Sequence, residues 1–247
     1  MMNTVAAKDI IPLLDLTSLN DSDNESSTRA LCKKAVTAHG HVAAVCVYPQ
    51  WVSCAREALA EFGATDIELA TVVNFPQGND DQATVLAQTK RALDDGATEI
   101  DVVIPYQALI DGDEESPAAL LKAVCELTHQ RGALVKVILE TGALESEKFI
   151  LLAAGIAVDA GADFLKTSTG KIATGATVEA VDLLVETISA KGVADHVGIK
   201  VSGGVRSKAD ADAYLDLIID HLGKDWLSAA HFRFGASSLL DDLLDQV

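Results

Sequence analysis

A glycine followed by a small residue recurs at Gly63-Ala64, Gly96-Ala97, Gly132-Ala133, Gly161-Ala162 and Gly192-Val193, each time after a polar helical stretch and ahead of an apolar run. The intervals are 33, 36, 29 and 31 residues, about one helix plus one strand. Glycine enters the left-handed region without steric penalty, so it stops a helix and turns the chain into the next strand. A chain of 247 residues has room for eight such units, and roughly 250 residues is the usual size of a (βα)8 barrel.

Eight candidate strands follow from this period: Ile10 to Leu16, Val42 to Tyr48, Ile67 to Val73, Glu99 to Ile104, Leu134 to Glu140, Asp163 to Thr167, Val197 to Val201 and His231 to Phe234. Most are near-continuous apolar runs, the pattern of parallel strands covered on both faces. Between them, stretches such as Asp81 to Asp95 and Val178 to Lys191 repeat apolar residues at helical spacing. Pro49, Pro76 and Pro105 each fall just after a strand, where a missing amide donor ends sheet pairing cheaply. The alternation runs unbroken, so the expected architecture is α/β, a single (βα)8 TIM barrel domain over residues 1–247. A doubly wound open sheet is the alternative, because a sequence does not show whether a sheet closes.

Composition narrows the function. The 19 basic and 37 acidic side chains give a net charge of −18, which opposes binding to nucleic acid or to an anionic membrane surface. Met1 to Ile10 has no apolar run of signal-peptide length, and no stretch approaches a membrane span; a cytoplasmic protein is expected. Cys32, Cys46, Cys54 and Cys125 form no C-x-x-C pair and read as reduced, mostly buried thiols. His39 and His41 flank Gly40 in what reads as a turn between a helix and a strand, and no metal site is expected.

Three lysines stand inside apolar strands: Lys136, Lys166 and Lys200. Each could snorkel outward along a strand edge. Three in successive strands of a covered sheet argue instead for an inward position. The sixth and seventh strands are expected to be neighbours about 5 Å apart. Inward-pointing Lys166 and Lys200 would each disfavour the other's ammonium form, and desolvation would act in the same direction. A lysine so depressed is partly neutral near pH 7 and can attack a carbonyl to form a Schiff base; the spacing leaves open which lysine forms the bond. Asp101 lies inside the fourth strand, either as an ion-pair partner of those lysines or as a proton shuttle for imine chemistry, and the two roles can coexist. Asp15 ends the first strand and reads equally as a turn cap or as a supporting residue.

Three glycine-bearing segments follow the last three strands: Thr167-Ser168-Thr169-Gly170-Lys171, Ser202-Gly203-Gly204-Val205-Arg206 and Gly235-Ala236-Ser237-Ser238. Glycines let backbone amides approach an anion, and barrels often bind phosphate with the loops after strands 7 and 8. With Lys171 and Arg206 alongside, the three form a candidate phosphate cradle. Residues 163–208 hold six basic and five acidic side chains, so the acidity of the chain lies elsewhere.

Over nearly its whole length the chain resembles the deoxyribose-phosphate aldolase family. The likeness is carried by Leu14-Asp15-Leu16-Thr17 with Leu19-Asn20-Asp21, Val45-Cys46-Val47-Tyr48-Pro49, Asn74-Phe75-Pro76-Gln77-Gly78, Glu99-Ile100-Asp101-Val102-Val103, Lys136-Val137-Ile138-Leu139-Glu140-Thr141-Gly142, Gly161 to Gly170 and Arg233-Phe234-Gly235-Ala236-Ser237-Ser238. Lys-Thr-Ser-Thr-Gly is the specific part. The resemblance implies a class I aldolase that interconverts 2-deoxy-D-ribose 5-phosphate with acetaldehyde and D-glyceraldehyde 3-phosphate in deoxyribonucleotide catabolism. It implies that Lys166 forms the Schiff base, that Lys200 keeps it deprotonated and that Asp101 handles protons, with Asp15 in support. Phosphate and hydroxyl contacts would come from Thr17, Asn20, Cys46, Thr169, Gly170, Lys171, Gly203, Gly204, Arg206, Gly235, Ser237 and Ser238. No metal or other cofactor is expected, because the imine is the electron sink; a monomer or homodimer acting on small molecules is.

The sequence departs from the family pattern at two points. Val201-Ser202 stands where some members have Pro-Ala. The sequence ends at Leu244-Asp245-Gln246-Val247, where some members continue into a tail ending in tyrosine that serves the proton step; another group or water would do that here, or the tail lies outside this sequence. Two other readings stay open: a different phosphosugar lyase or isomerase in which Lys166 is merely electrostatic, and a non-catalytic phosphosugar-binding module.

Overall fold

A computed structural model describes residues 5–247; residues 1–4, the head of the segment read above for a leader, lie outside it. Eight parallel strands close into a barrel: β1 (Leu14–Ser18), β2 (Ala44–Val47), β3 (Glu68–Val73), β4 (Glu99–Val103), β5 (Leu134–Ile138), β6 (Phe164–Lys166), β7 (Gly198–Ser202) and β8 (Phe232–Ala236). Each pairs with its neighbours in sequence, and β1 pairs with both β2 and β8. That closure removes the open-sheet alternative. A helix follows every strand: α1 (Glu25–Lys34), α2 (Val52–Glu61), α3 (Gln82–Asp94), α4 (Glu115–His129), α5 (Glu147–Ala160), α6 (Val178–Ala190), α7 (Lys208–Leu222) and α8 (Leu239–Leu244). No described helix is long and apolar enough to cross a membrane.

The recurrent glycines behave as their spacing predicts. Gly63, Gly96, Gly132, Gly161 and Gly192 all have positive φ, between 66° and 103°. Gly161 shows the device most directly: it caps α5 at φ 96°, and its amide donates back to the carbonyls of Ala157 and Val158. The strands are lined by aliphatic residues with almost no exposure, Ile100, Val135, Val137, Leu165, Ile199 and Val201 among them.

The first strand differs from expectation. Ala7–Ile10 is helical and Ile11–Leu13 is a 3-10 turn with Pro12 in its first positions, so β1 begins only at Leu14 and runs on to Ser18. Proline has no amide to give a ladder, and the apolar run packs as a helical cap in the core, with Ile10 and Ile11 fully buried. The last strand continues to Ala236. Around Gly40 the expected turn is a short antiparallel hairpin, Val36–Thr37 with Gly40–His41. The cysteines are free thiols; Cys32, Cys46 and Cys125 are buried and Cys54 is partly exposed.

Candidate active site

Side chains two residues apart share a strand face, and inside the barrel this rule assembles a charge network. Glu99 and Asp101 from β4, Lys136 from β5, Lys166 from β6, Lys200 from β7, Arg233 from β8 and Asp15 from β1 all turn inward, each 5% exposed or less. Lys166 and Lys200 are direct partners in the β6/β7 register. The outward-snorkelling reading is therefore excluded for all three lysines.

Asp101 is the hub. Its Oδ2 accepts from Lys166 Nζ at 2.7 Å and from Lys200 Nζ at 2.7 Å, while its Oδ1 accepts from Lys136 Nζ at 3.0 Å. Asp15 meets Lys200 at 2.6 Å, Arg233 at 2.6 Å and Lys136 at 3.3 Å. Its side chain thus lies in the network, which rules out the turn-cap reading. Glu99 pairs with Lys136 and lies 3.2 Å from Arg233.

Three carboxylates here face four basic groups. Buried charges are tolerated when paired, so the surplus falls on whichever base sheds its proton most cheaply. Burial lowers the Lys166 amine and Lys200 lowers it further, against the pull of Asp101, leaving it below the ordinary lysine range. Lys200 goes the other way. Burial opposes its charge as well, but Asp101 and Asp15 outweigh burial and hold its pKa above the ordinary value. The expectation that both lysines are depressed is corrected: two carboxylates contact Lys200, one contacts Lys166. Burial also opposes the charge on Asp15 and Asp101, yet the surrounding cations keep both carboxyls well below the usual range.

Lys166 also faces out of the network. It alone of the seven lines a cavity of about 270 Å³ at the C-terminal ends of the strands. Eleven of the residues proposed from sequence line that cavity too: Thr17, Asn20, Thr169, Gly170, Lys171, Gly203, Gly204, Arg206, Gly235, Ser237 and Ser238. Cys46 does not; it is buried in a small cluster with Leu19, Ala70 and Val72, under Tyr48 and Phe75, and burial pushes its thiol up. The glycines permit close approach: a Cβ built on Gly235 would lie 2.3 Å from Ser202 Oγ and 2.9 Å from Lys200 Cε.

The basic residues of the 163–208 stretch divide by partner. Lys166 and Lys200 lie in the interior, Lys191 pairs with Asp159 at 2.6 Å and Lys208 with Asp212 at 2.8 Å. Lys171 and Arg206 remain at the rim with no carboxylate partner among the described residues. The Lys171 ammonium donates to the Leu19 carbonyl and stands 5.8 Å from the Tyr48 ring centroid.

Sequence reasoning gave no role to Glu99, Arg233 or Glu140, and placed Ser202 in a cradle loop without a role of its own. Glu99 was within reach, since it precedes Asp101 by two in the same strand. Ser202 lines the cavity, and its buried hydroxyl has no hydrogen-bond partner among the described residues. Glu140 is buried at the end of β5 and accepts from Thr169. Among the described residues, no group of three or more His, Cys, Asp or Glu is arranged to hold a metal ion.

Comparison with known proteins places this geometry. A model of the DeoC/LacD family of aldolases matches residues 10–244. Among solved structures, the chain is 28% identical to a deoxyribose phosphate aldolase from Aeropyrum pernix described as tetrameric, with a TM-score of 0.79, covering 97% of this chain and 91% of that one. A provisionally assigned deoxyribose-phosphate aldolase from Toxoplasma gondii ME49 is 28% identical, with a TM-score of 0.87 over 97% of this chain and 94% of that one. Another provisional assignment, from Coccidioides immitis, is 28% identical, with a TM-score of 0.83 over 98% and 87%.

Proposed function

Because the chain belongs to the DeoC/LacD family of aldolases, we propose that it cleaves 2-deoxy-D-ribose 5-phosphate reversibly to acetaldehyde and D-glyceraldehyde 3-phosphate, in the breakdown of deoxyribose phosphates, through a Schiff base on Lys166. One observation carries this reading: of the lysines inside the barrel, Lys166 is the one that both lines the cavity and has a lowered pKa.

In the cleavage direction the neutral Lys166 amine adds to the aldehyde carbon of the open-chain sugar. The carbinolamine loses its oxygen as water and leaves an iminium ion. A base takes the proton of the 3-hydroxyl, the bond between carbons 2 and 3 breaks into the iminium, and the triose phosphate departs. The enamine left on Lys166 takes a proton on carbon, and water releases acetaldehyde and the free amine. Asp101 hydrogen-bonds Lys166 and Lys200 through one oxygen, so it is the group through which protons reach and leave the nitrogen. Lys200 stays an ammonium ion; its charge keeps Lys166 neutral and draws electrons toward the nitrogen.

Lys171 and Arg206 at the rim, with the glycine loops after β6, β7 and β8, are assigned to the substrate's phosphate. Binding energy far from the reacting carbons then orients them. Following the release of acetaldehyde, which both sugars yield, with a coupled alcohol dehydrogenase tests this directly. Deoxyribose 5-phosphate is expected to turn over with kcat/KM at least about 100-fold above unphosphorylated deoxyribose; equal rates on the two sugars would overturn the phosphate assignment.

A further inference from the structure

One fully buried carboxylate in the barrel makes no ion pair among the described residues. Asp15, Glu99 and Asp101 are all ion-paired, whereas Glu140, equally buried, makes no ion pair among the described residues. It follows β5 at φ 55° and ψ 58°, in the left-handed region that residues other than glycine rarely take. The backbone around it is held by hydrogen bonds: the Glu140 carbonyl accepts from Ala143 N–H at 2.9 Å, and Thr141 N–H donates to the Thr167 carbonyl at 2.9 Å. The turn is thereby bolted to the segment that follows Lys166. The Glu140 side chain accepts twice from one residue, through Oε2 from the Thr169 hydroxyl and through Oε1 from the Thr169 N–H at 3.3 Å.

A threonine hydroxyl has one proton and two lone pairs. Thr169 commits its proton to Glu140 and accepts with one lone pair from Lys171 N–H at 3.0 Å. Since Thr169 lines the cavity, what it offers a ligand is the remaining lone pair. An acceptor-only group such as a phosphate oxygen gains nothing there. A hydroxyl, which can donate, does.

We propose that Glu140 is a positioning residue: by taking the Thr169 proton it fixes that hydroxyl as an acceptor, and the pair reads the hydroxyl beside the aldehyde of the phosphorylated acceptor substrate. The inference rests on the reading of this cavity as a phosphosugar aldolase site and goes beyond it by dividing the ligand's polar groups. The phosphate falls to Lys171 and Arg206, the hydroxyl to Thr169. A glutamine at position 140 cannot replace the carboxylate in full. One amide orientation sets an NH2 against the Thr169 N–H, and the other sets it against the Thr169 hydroxyl and turns the proton of that hydroxyl toward the cavity.

The test measures acetaldehyde addition to D-glyceraldehyde 3-phosphate and to 3-phosphooxypropanal, which lacks the hydroxyl. The wild type is expected to prefer the hydroxylated aldehyde by about 10- to 100-fold in kcat/KM. Glu140→Gln and Thr169→Val should each reduce that preference to within a few-fold, and the double variant should reduce it no further. A second readout needs no variant. Burial pushes the Glu140 carboxyl up, against the bonds from Thr169 and the charge of Lys166, and the Tyr106 hydroxyl is the other titratable group it faces, so the wild-type preference should fall as pH drops through that raised pKa. Acetaldehyde trapping on Lys166 by borohydride serves as the control. Trapping in the wild type together with an undiminished preference in Glu140→Gln overturns the positioning role alone, as does a wild-type preference that stays constant down to the acid limit of folding. Absence of trapping in the wild type overturns the functional reading beneath it.

Discussion

The interior of the barrel and its mouth both carry charge, in opposite states of completion. Inside, Lys136, Lys200 and Arg233 are each within 3.3 Å of a carboxylate, and Lys136 and Lys200 have no measurable exposure. At the mouth, Lys171 and Arg206 face the cavity without a carboxylate partner for their side chains, and the Ser202 hydroxyl is buried there without a hydrogen-bond partner, among the described residues. A saturated network leaves no room for a ligand but holds proton positions firmly, because moving one charge disturbs several. An unsaturated rim does little alone and is completed by what binds. Lys166 belongs to both regions: it is the surplus base of the network and part of the cavity wall.

Breaking the interior should cost most. Lys200→Leu removes a positive neighbour of Lys166 and leaves Asp101 to pair with Lys166 more strongly, so the Lys166 pKa should rise. Turnover at neutral pH is expected to fall about 100-fold or more, and the acid limb of the kcat/KM profile should move to higher pH; near wild-type turnover in a folded variant would separate Lys200 from the amine. Lys136→Met should act on stability instead, since it strips one cation from Asp15, Glu99 and Asp101 at once. Removing one partner of a buried pair costs about 3–5 kcal/mol, measurable as a lower midpoint in denaturant.

Changes at the mouth should be smaller and should show in binding. For Arg206→Gln, KM for the phosphorylated sugar is expected to rise about tenfold, with the rate on unphosphorylated deoxyribose unchanged. An equal loss on both sugars would return Arg206 to a structural role. Smallest is Ser202→Ala, where one hydroxyl is lost at a position already open to the cavity. A change within about threefold in kcat/KM is expected; a loss of 100-fold would move Ser202 from the rim into the reacting set.

The same division governed what the sequence could show. Helix stops are local events, so five glycines were enough to count the units of the barrel. The apolar segment at Ile10 to Leu13 misled because a helical cap and a buried strand share one composition, and only Pro12 argued against pairing. The mouth residues were legible because each follows a strand closely and glycine-rich loops announce themselves. In the interior, the lysines and Asp101 stood out as charges in apolar runs. The balance of three carboxylates against four bases did not, since it depends on Glu99, Arg233 and Asp15 meeting from three different strands. That is why the sequence left both lysines depressed, while in the structure Asp15 and Asp101 raise one of them. Glu140 stayed hidden because its partner, Thr169, comes from a different loop.

The central claim is that one lysine of three is the nucleophile, selected by surplus charge and access to the cavity. Incubation with acetaldehyde and sodium borohydride, followed by intact mass and peptide mapping, tests it most directly. The account predicts the added mass of a single ethyl group, located on the peptide bearing Lys166 and absent from Lys166→Met. An unmodified protein, or an ethyl group on Lys136 or Lys200, would contradict it.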